Sequence, residues 1–148
     1  MRVRQAVGAI VTCGEQFLII HKTKINTVKG KQAIKGEWDF VKGKIEKQDR
    51  SPEAAILREL KEETGSEQFQ VKSRLKDPIS FNFPTHIQKK IGYDTQETYM
   101  FVVEYIGEEK SLEALDTEIN QVQLVNRHVL LEKLTHVETK QFFLQQGF

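Results

Sequence analysis

Three glutamates in the middle of the sequence are spaced so that they share one face of a helix. Glu59, Glu62 and Glu63 stand three and four residues apart, and side chains at this spacing project from one helical sector. Like charges so placed cost a helix about 0.2–0.5 kcal/mol per pair. Oxygen ligands without cysteine or histidine suit Mg²⁺ or Mn²⁺, and Mg²⁺ keeps positions open for a phosphate-bearing substrate. The spacing therefore indicates a candidate metal site.

A second explanation is that these glutamates form a solvated helix face. Most such clusters pair with neighbouring cations, and Arg58 and Lys61 are placed to do so. The apolar residues Ile56, Leu57 and Leu60 repeat at helical spacing beside the acidic sector. The glutamates should therefore lie at the edge of the core, where a cleft is favoured over open solvent.

The helix that carries the glutamates has clear ends in the sequence. Ser51 is a natural N-cap, Pro52 suits the first helical position, and Gly65 suits the C-terminal stop. We therefore predict a helix over residues 52–64.

The segments around this helix resemble the Nudix box, G-x5-E-x7-R-E-U-x-E-E-x-G-U, in which U is a bulky apolar residue. The matching residues are Lys42-Gly43-Lys44-Ile45-Glu46, Ser51-Pro52-Glu53-Ala54-Ala55 and Arg58-Glu59-Leu60-Lys61-Glu62-Glu63-Thr64-Gly65. The chain thus resembles the Nudix, or MutT-like, hydrolases. The resemblance implies an α/β fold, an α/β/α sandwich with a mixed sheet and a loop-helix-loop metal site. It also implies a single domain over residues 1–148.

The resemblance assigns roles to individual residues. It implies hydrolysis of a nucleoside diphosphate linked to another group, with Mg²⁺ as cofactor and Mn²⁺ as an alternative. The metal ligands fall on Glu59, Glu62 and Glu63 and on the backbone carbonyl of Gly43. Glu62 and Glu63 are also candidate catalytic residues, and Arg58 falls on the structural arginine of the box.

A further carboxylate is expected to orient or deprotonate the attacking water. The two candidates are Glu118, ahead of a predicted strand at residues 122–125, and Glu97, at the start of the longest predicted strand. Structural roles compete for both residues. Glu97 can be a plain strand-end charge, and Glu118 can be a turn or cap residue.

The sequence departs from the box upstream of the helix. Counting back from Arg58, the upstream box glutamate falls on Arg50, and the loop after Gly43 carries one extra residue. Either Asp49 fills the missing role or Arg50 contacts the substrate phosphates, and the sequence leaves both open. Lys42 and Lys44 flank the box glycine, and we predict that they bind substrate phosphates together with Arg50.

A lysine-rich stretch precedes the box. Residues 22–47 contain eight lysines and three acids. Within it, residues 22–36 show no steady apolar period and contain Gly30 and Gly36, so we predict an exposed loop. The lysines can steer polyphosphate towards the site or can simply be solvated.

Strand and helix signals surround the central helix. The predicted strands are residues 3–11, 17–20, 38–41, 69–75, 79–83, 98–106 and 122–125, and the predicted later helices are residues 129–134 and 138–146. This order predicts a mixed α/β layered domain.

Composition limits the remaining classes. The chain has 148 residues, 39% of them hydrophobic, and a net charge of +1. Near-neutrality argues against bulk nucleic-acid binding and lends no support to an RNA 5′-end substrate. The single Cys13 excludes an intramolecular disulfide, and no apolar run is long enough for a membrane span. We expect a cytoplasmic protein without a membrane partner, for which a homodimer is possible.

The expected partner is a small-molecule nucleotide or a related polyphosphate. We favour a nucleoside-triphosphate-type substrate. The alternatives are a dinucleoside polyphosphate hydrolase, which residues 38–44 resemble, and a non-catalytic nucleotide-sensing module, which Arg50 suggests. No Walker phosphate loop, G-x-G-x-x-G or G-x-S-x-G occurs, and we interpret the scattered histidines as surface or core residues.

Overall fold

The computed structural model describes residues 2–115 and 118–148, which form one mixed set of strands and helices. In chain order these are β1 (Val3–Cys13), β2 (Gln16–Thr27), β3 (Gly30–Asp39), β4 (Val41–Lys44), α1 (Pro52–Thr64), β5 (Phe69–Arg74), β6 (Ile79–Asn82), α2 (Thr85–Ile91), β7 (Thr95–Tyr105), β8 (Ile119–Val125), α3 (Arg127–Lys133) and α4 (Val137–Gln145). None of the helices within these residues is both long and apolar enough to span a membrane.

The strands form a mixed sheet with the path β3-β2-β1-β7-β5. The central strands β1 and β7 run parallel, and the other pairs are antiparallel. Strands β4, β6 and β8 pair with β1, β7 and β2 respectively. The predicted α/β class and mixed sheet are therefore confirmed, whereas a single domain over residues 1–148 stays a prediction.

Helices cover both faces of this sheet because β1 is apolar on both sides. Val7 and Ala9 pack in the core cluster that includes Ile56 of α1. Ile10 points to the opposite face, where it packs in a cluster with Leu130 of α3 and Phe143 of α4. A strand that is buried on both faces has a continuous apolar run in its sequence. Helix α1 packs against one face of the sheet that contains β1.

Helix α1 has the bounds predicted from the sequence. Ser51 Oγ accepts a hydrogen bond from the Ala54 amide at 3.1 Å. Gly65 has φ 77° and donates its N–H to the Lys61 carbonyl at 2.8 Å, a left-handed conformation that favours glycine. The local capping signals were therefore enough to define this helix.

The exposed loop predicted at residues 22–36 is wrong. Strand β2 continues to Thr27 and pairs with β3 from Gly30, which has φ 112°. Thr27 Oγ1 donates to the Gly30 carbonyl at 2.6 Å. Both strands are largely solvated here, so no apolar alternation marks them in the sequence. We call residues 22–36 the lysine arm.

Helix α2 was not predicted either. None of its residues is buried, so it lacks the apolar stripe by which an amphipathic helix is recognised. Its C-terminal end contacts the lysine arm, because the Lys90 carbonyl accepts the Val28 amide at 2.7 Å. The contact holds the tip of the arm against the rest of the molecule.

A histidine and a glutamate join the start of α4 to β3. His136 Nε2 lies 2.9 Å from Glu37 Oε2. This hydrogen bond raises the pKa of His136 and lowers the pKa of Glu37. The His136 contribution to stability is therefore complete below the usual histidine pKa and is lost as pH rises through the raised value. The contribution of Glu37 to stability is lost as pH falls through its lowered pKa.

We predict that His136→Gln lowers the free energy of unfolding near pH 5.5 and has a smaller effect near pH 9. The loss should be about 1 kcal/mol or less, because the side chains are 43% and 31% exposed and solvent screens the pair. Urea unfolding at both pH values measures it, with His86→Gln on the exposed α2 as control. Equal losses at both pH values would contradict the assigned pair.

Candidate active site

Arg58 connects the loop after β4 to the acidic face of α1. Its Nε and Nη2 atoms donate to the two carboxylate oxygens of Asp49 at 2.8 and 2.9 Å. Nη2 also donates to the Lys44 carbonyl at 3.0 Å. Nη1 donates to Glu59 at 2.9 Å and to Glu62 at 3.2 Å. One guanidinium therefore sets the position of the loop relative to the helix.

Asp49 occupies the place of the upstream box acid. Five residues separate it from Gly43, which is the box spacing. Its side chain is only 4% exposed, and the Arg58 hydrogen bonds lower the pKa of Asp49 and raise that of Arg58. Of the two readings left open by the sequence, the structure supports Asp49. The extra residue lies between Asp49 and Arg58, and not between Gly43 and the acid.

Arg50 is exposed, and its side chain has no ion pair within the described residues. Since Arg58 already binds Asp49, Arg50 is not needed to anchor the loop. Its contact with substrate phosphates stays a prediction.

The three glutamates of α1 differ in environment. Glu59 and Glu63 are 9% and 4% exposed, whereas the Glu62 side chain is 49% exposed. Burying a carboxylate is costly without compensating partners, so a plain solvated face does not describe Glu59 and Glu63. Two carboxylates lie in the wall of the site, and the third faces its open side.

Gly43 is required by its contact with Glu59. It lies on β4 opposite Val7 of β1, and a methyl group at this position would collide with the Glu59 carboxylate. A larger residue at position 43 would therefore force the Glu59 carboxylate to move. The strand and the helix thus bring the Gly43 backbone and the Glu59 carboxylate together.

The chemistry of these donors fits a hard divalent cation. Glu59, Glu62, Glu63 and the Gly43 carbonyl offer oxygen ligands only, which suit Mg²⁺ or Mn²⁺. No three acidic, histidine or cysteine side chains of residues 2–115 and 118–148 already converge in a metal-binding geometry. Arg58 donates to Glu59 and Glu62, so a bound cation would share these carboxylates with Arg58 or displace it.

Arg4 of β1 is a site residue that the sequence analysis missed. Its Nη1 donates to Gln96 Oε1 at 2.7 Å. Burial lowers the pKa of Arg4 overall, while Tyr93 and the negative charges of Glu59 and Glu118 raise it. Arg4 therefore lies in the field of both carboxylates. In the sequence it looks like an ordinary charge at the start of a strand, since its neighbours come from distant segments.

Glu118 joins this site to the lysine arm. Its Oε1 forms an ion pair with Lys31 Nζ at 2.9 Å, and its side chain is 14% exposed. Its carbonyl accepts the amides of Thr23 and Lys24 at 2.8 and 3.2 Å. The carboxylate is thus held against the lysine arm.

Glu97 lies elsewhere on the sheet. It is opposite Gln5 of β1 and Ser80 of β6, and Tyr99 donates to it at 3.3 Å. Gly43 lies on β4, two strands away, which corresponds to a lateral separation of about 10 Å. The role of the distal carboxylate stays a prediction for both Glu118 and Glu97.

The two lysines that flank Gly43 point to different surroundings. Lys42 Nζ donates to Thr139 of α4 at 2.8 Å and lies 3.1 Å from Asp39. Lys44 is exposed, with Nζ 5.3 Å from the centre of the Tyr93 ring. Phosphate binding stays a prediction for both, and Lys44 is the more accessible of the two.

We predict that Asp49→Asn lowers the free energy of unfolding by about 1–3 kcal/mol, the range for hydrogen bonds to charged groups. Because the pKa of Asp49 is lowered, this contribution is present above the usual aspartate pKa and is lost as pH falls through the folded value. Arg50→Ala is the matched control, and an exposed substitution should stay within about 0.5 kcal/mol. Denaturant unfolding at neutral and acidic pH measures the free energy of unfolding of both variants. A larger loss of stability for Arg50→Ala than for Asp49→Asn would contradict the assignment of Asp49.

Comparison with known proteins agrees with this geometry. The NUDIX domain family model matches residues 2–146. An RNA pyrophosphohydrolase of a Nitratiruptor species is 29% identical over 129 residues, covering 82% of this chain and 83% of that protein. Among solved structures, a NUDIX hydrolase from Nitrosomonas europaea has a TM-score of 0.75 at 15% identity, covering 98% of this chain and 88% of that one. The MutT protein from Methanosarcina mazei Go1 has a TM-score of 0.72 at 19% identity, covering 97% and 92%. The chain belongs to the Nudix family and is a hydrolase acting on phosphoric anhydride bonds.

Proposed function

We propose that this chain is a Mg²⁺-dependent pyrophosphohydrolase that acts on a nucleoside-triphosphate-type group. The observation that carries the proposal is the arrangement around Arg58. One arginine holds Asp49, Glu59 and Glu62 together beside a glycine that admits the Glu59 carboxylate. An acidic set at the edge of the core suits a cation that in turn binds phosphate oxygens.

The residues of the chain divide the work of hydrolysis. Glu59, Glu62 and Glu63 with the Gly43 carbonyl would hold the cation, which when bound neutralises phosphate charge and makes water a stronger nucleophile. Glu118 would orient the attacking water or accept its proton. Arg4 lies near Glu59 and Glu118. We propose that it pairs with a phosphate oxygen.

The relatives broaden the range of substrates that carry this group. Several are named RNA pyrophosphohydrolases at 26–29% identity. A free nucleoside triphosphate and a triphosphorylated RNA 5′ end offer the same phosphoric anhydride to the site. We therefore propose the triphosphate as the recognised group. A cytoplasmic location and a homodimer stay predictions.

The direct test is phosphate release from a panel of nucleoside triphosphates, dinucleoside polyphosphates and a triphosphorylated RNA. Turnover should require Mg²⁺ or Mn²⁺ and stop on addition of EDTA. Pyrophosphate and monophosphate products are distinguished by adding pyrophosphatase. No metal-dependent turnover across the panel, together with tight nucleotide binding, would replace hydrolysis by a sensing role.

We predict that Glu62→Gln slows turnover by about 100-fold or more, because a metal ligand contributes several kcal/mol to transition-state stabilisation. Added Mg²⁺ should raise the Tm of the wild type more than that of the variant, because a cation that binds only the folded state stabilises it by mass action. Glu53→Gln, exposed in the first turn of α1, is the control. Equal Mg²⁺ responses in all three proteins would remove Glu62 from the metal site.

We predict that Glu118→Gln slows turnover by about 100-fold or more, within the range of general base catalysis. Glu97→Gln should change it by about threefold or less, corresponding to well under 1 kcal/mol. Steady-state rates at saturating Mg²⁺ compare the two, and Mg²⁺ titrations check that metal affinity is unchanged. The opposite ranking would assign the water-orienting role to Glu97.

A further inference from the structure

We infer that the lysine arm and α2 together bind the phosphate backbone of an RNA whose 5′ end enters the candidate active site. This inference rests on the proposed function, because it selects an RNA chain as the substrate of that same site. It concerns binding along the chain, whereas the proposed function concerns hydrolysis at its end.

The positive charge of the protein is concentrated in these two segments. The net charge of the whole chain is only +1. The lysine arm and α2 contain seven lysines and no aspartate or glutamate, and the lysines are Lys22, Lys24, Lys29, Lys31, Lys35, Lys89 and Lys90. Overall charge therefore conceals a local surface that attracts polyanions.

Most of this charge is not balanced within the protein. Lys24, Lys29 and Lys35 are exposed and form no ion pair with the described acids. Among the exposed lysines elsewhere, Lys61, Lys72 and Lys110 pair with Glu67, Glu104 and Glu108, whereas Lys44, Lys47 and Lys76 have no ion pair with the described acids. Lys24 and Lys31 lie opposite Ala33 and Asn26 in the β2–β3 register, so cross-strand charge pairing does not explain these lysines. Binding of an external anion would explain the lysines.

The arm contacts Glu118, the carboxylate proposed to orient the attacking water. Lys31 Nζ contacts Glu118, and the Glu118 carbonyl binds the arm backbone at Thr23 and Lys24. Glu118 therefore lies beside the middle of the arm, whose strand from residue 22 to residue 27 covers about 17 Å. A polynucleotide can contact lysines along this whole length, whereas a single nucleotide contacts those beside Glu118.

The far end of the arm is held by α2. The Val28 amide donates to the Lys90 carbonyl at 2.7 Å, which places the basic end of α2 beside the tip. A surface held in place in this way loses less conformational entropy on binding than a flexible loop. The lysine arm can therefore guide a chain away from the site along a defined direction.

The chemistry of the arm indicates what part of the RNA it contacts. Residues 22–36 contain no phenylalanine, tyrosine or tryptophan, so bases have no aromatic platform on which to stack. Lysine ammonium groups bind phosphates as point charges and do not read base edges here. Affinity should therefore depend on chain length and salt, with little dependence on base sequence.

The experiment compares ATP with a triphosphorylated dinucleotide and a triphosphorylated dodecanucleotide RNA. The variant is Lys24→Ala/Lys29→Ala/Lys35→Ala, which keeps Lys31 and its contact with Glu118. The wild type should have a higher kcat/KM for the dodecanucleotide than for the dinucleotide. The variant should lose about tenfold or more on the dodecanucleotide and keep its rate on ATP. Its salt dependence should fall by about 0.7 per lost phosphate contact.

The control variant is Lys61→Ala/Lys72→Ala/Lys110→Ala, which removes the same charge from other surfaces and should behave as the wild type on every substrate. Fluorescence anisotropy of the labelled dodecanucleotide measures binding without turnover. Equal RNA binding by wild type and arm variant would overturn the inference, and the arm would then suit another polyanion such as an acidic protein. Failure of all three substrates to turn over would instead contradict the proposed function, whatever the binding result.

Discussion

The bidentate pair between Arg58 and Asp49 is the interaction on which the candidate site depends. It joins the loop after β4 to α1, and the same guanidinium reaches Glu59 and Glu62. A planar donor fork can bind several carboxylates in fixed directions, which a lysine ammonium cannot do. The pair also lets acidic groups gather at the core edge, because their repulsion is offset until a cation binds.

The sheet supplies the second constraint. Strand β1 places Arg4 near the acidic helix, and β4 brings Gly43 against Glu59. Charge in the molecule is therefore divided between two adjoining surfaces. The helix glutamates attract a cation, while the lysine arm, whose Lys31 pairs with Glu118, attracts an anion. A polyphosphate bound to a divalent cation requires both kinds of surface, and a free nucleotide leaves most of the arm unused.

The box and its helix were predictable from the sequence because their signals are local. Caps at Ser51 and Gly65 and the spacing of the glutamates depend only on helix geometry. The upstream acid of the box was not predictable from the sequence, because the inserted residue can lie on either side of that acid. Counting back from Arg58 led to Arg50, and counting forward from Gly43 leads to Asp49. Only the hydrogen bonds to Arg58 distinguish these positions.

From the sequence by itself, periodicity and capping residues determined the acidic helix, the order of predicted elements indicated a mixed α/β domain, and the resemblance carried by the box indicated the family and its fold. The tertiary structure decided the rest. Pairing of β1 with β7 and packing beside α1 place Arg4 in the field of Glu59 and Glu118, which lie far apart in the chain. The lysine arm and α2 were missed because solvated elements carry no apolar period. Contacts between distant segments of the chain set the position of Arg4 and the structure of the lysine arm and α2. Such contacts leave no local pattern in the sequence.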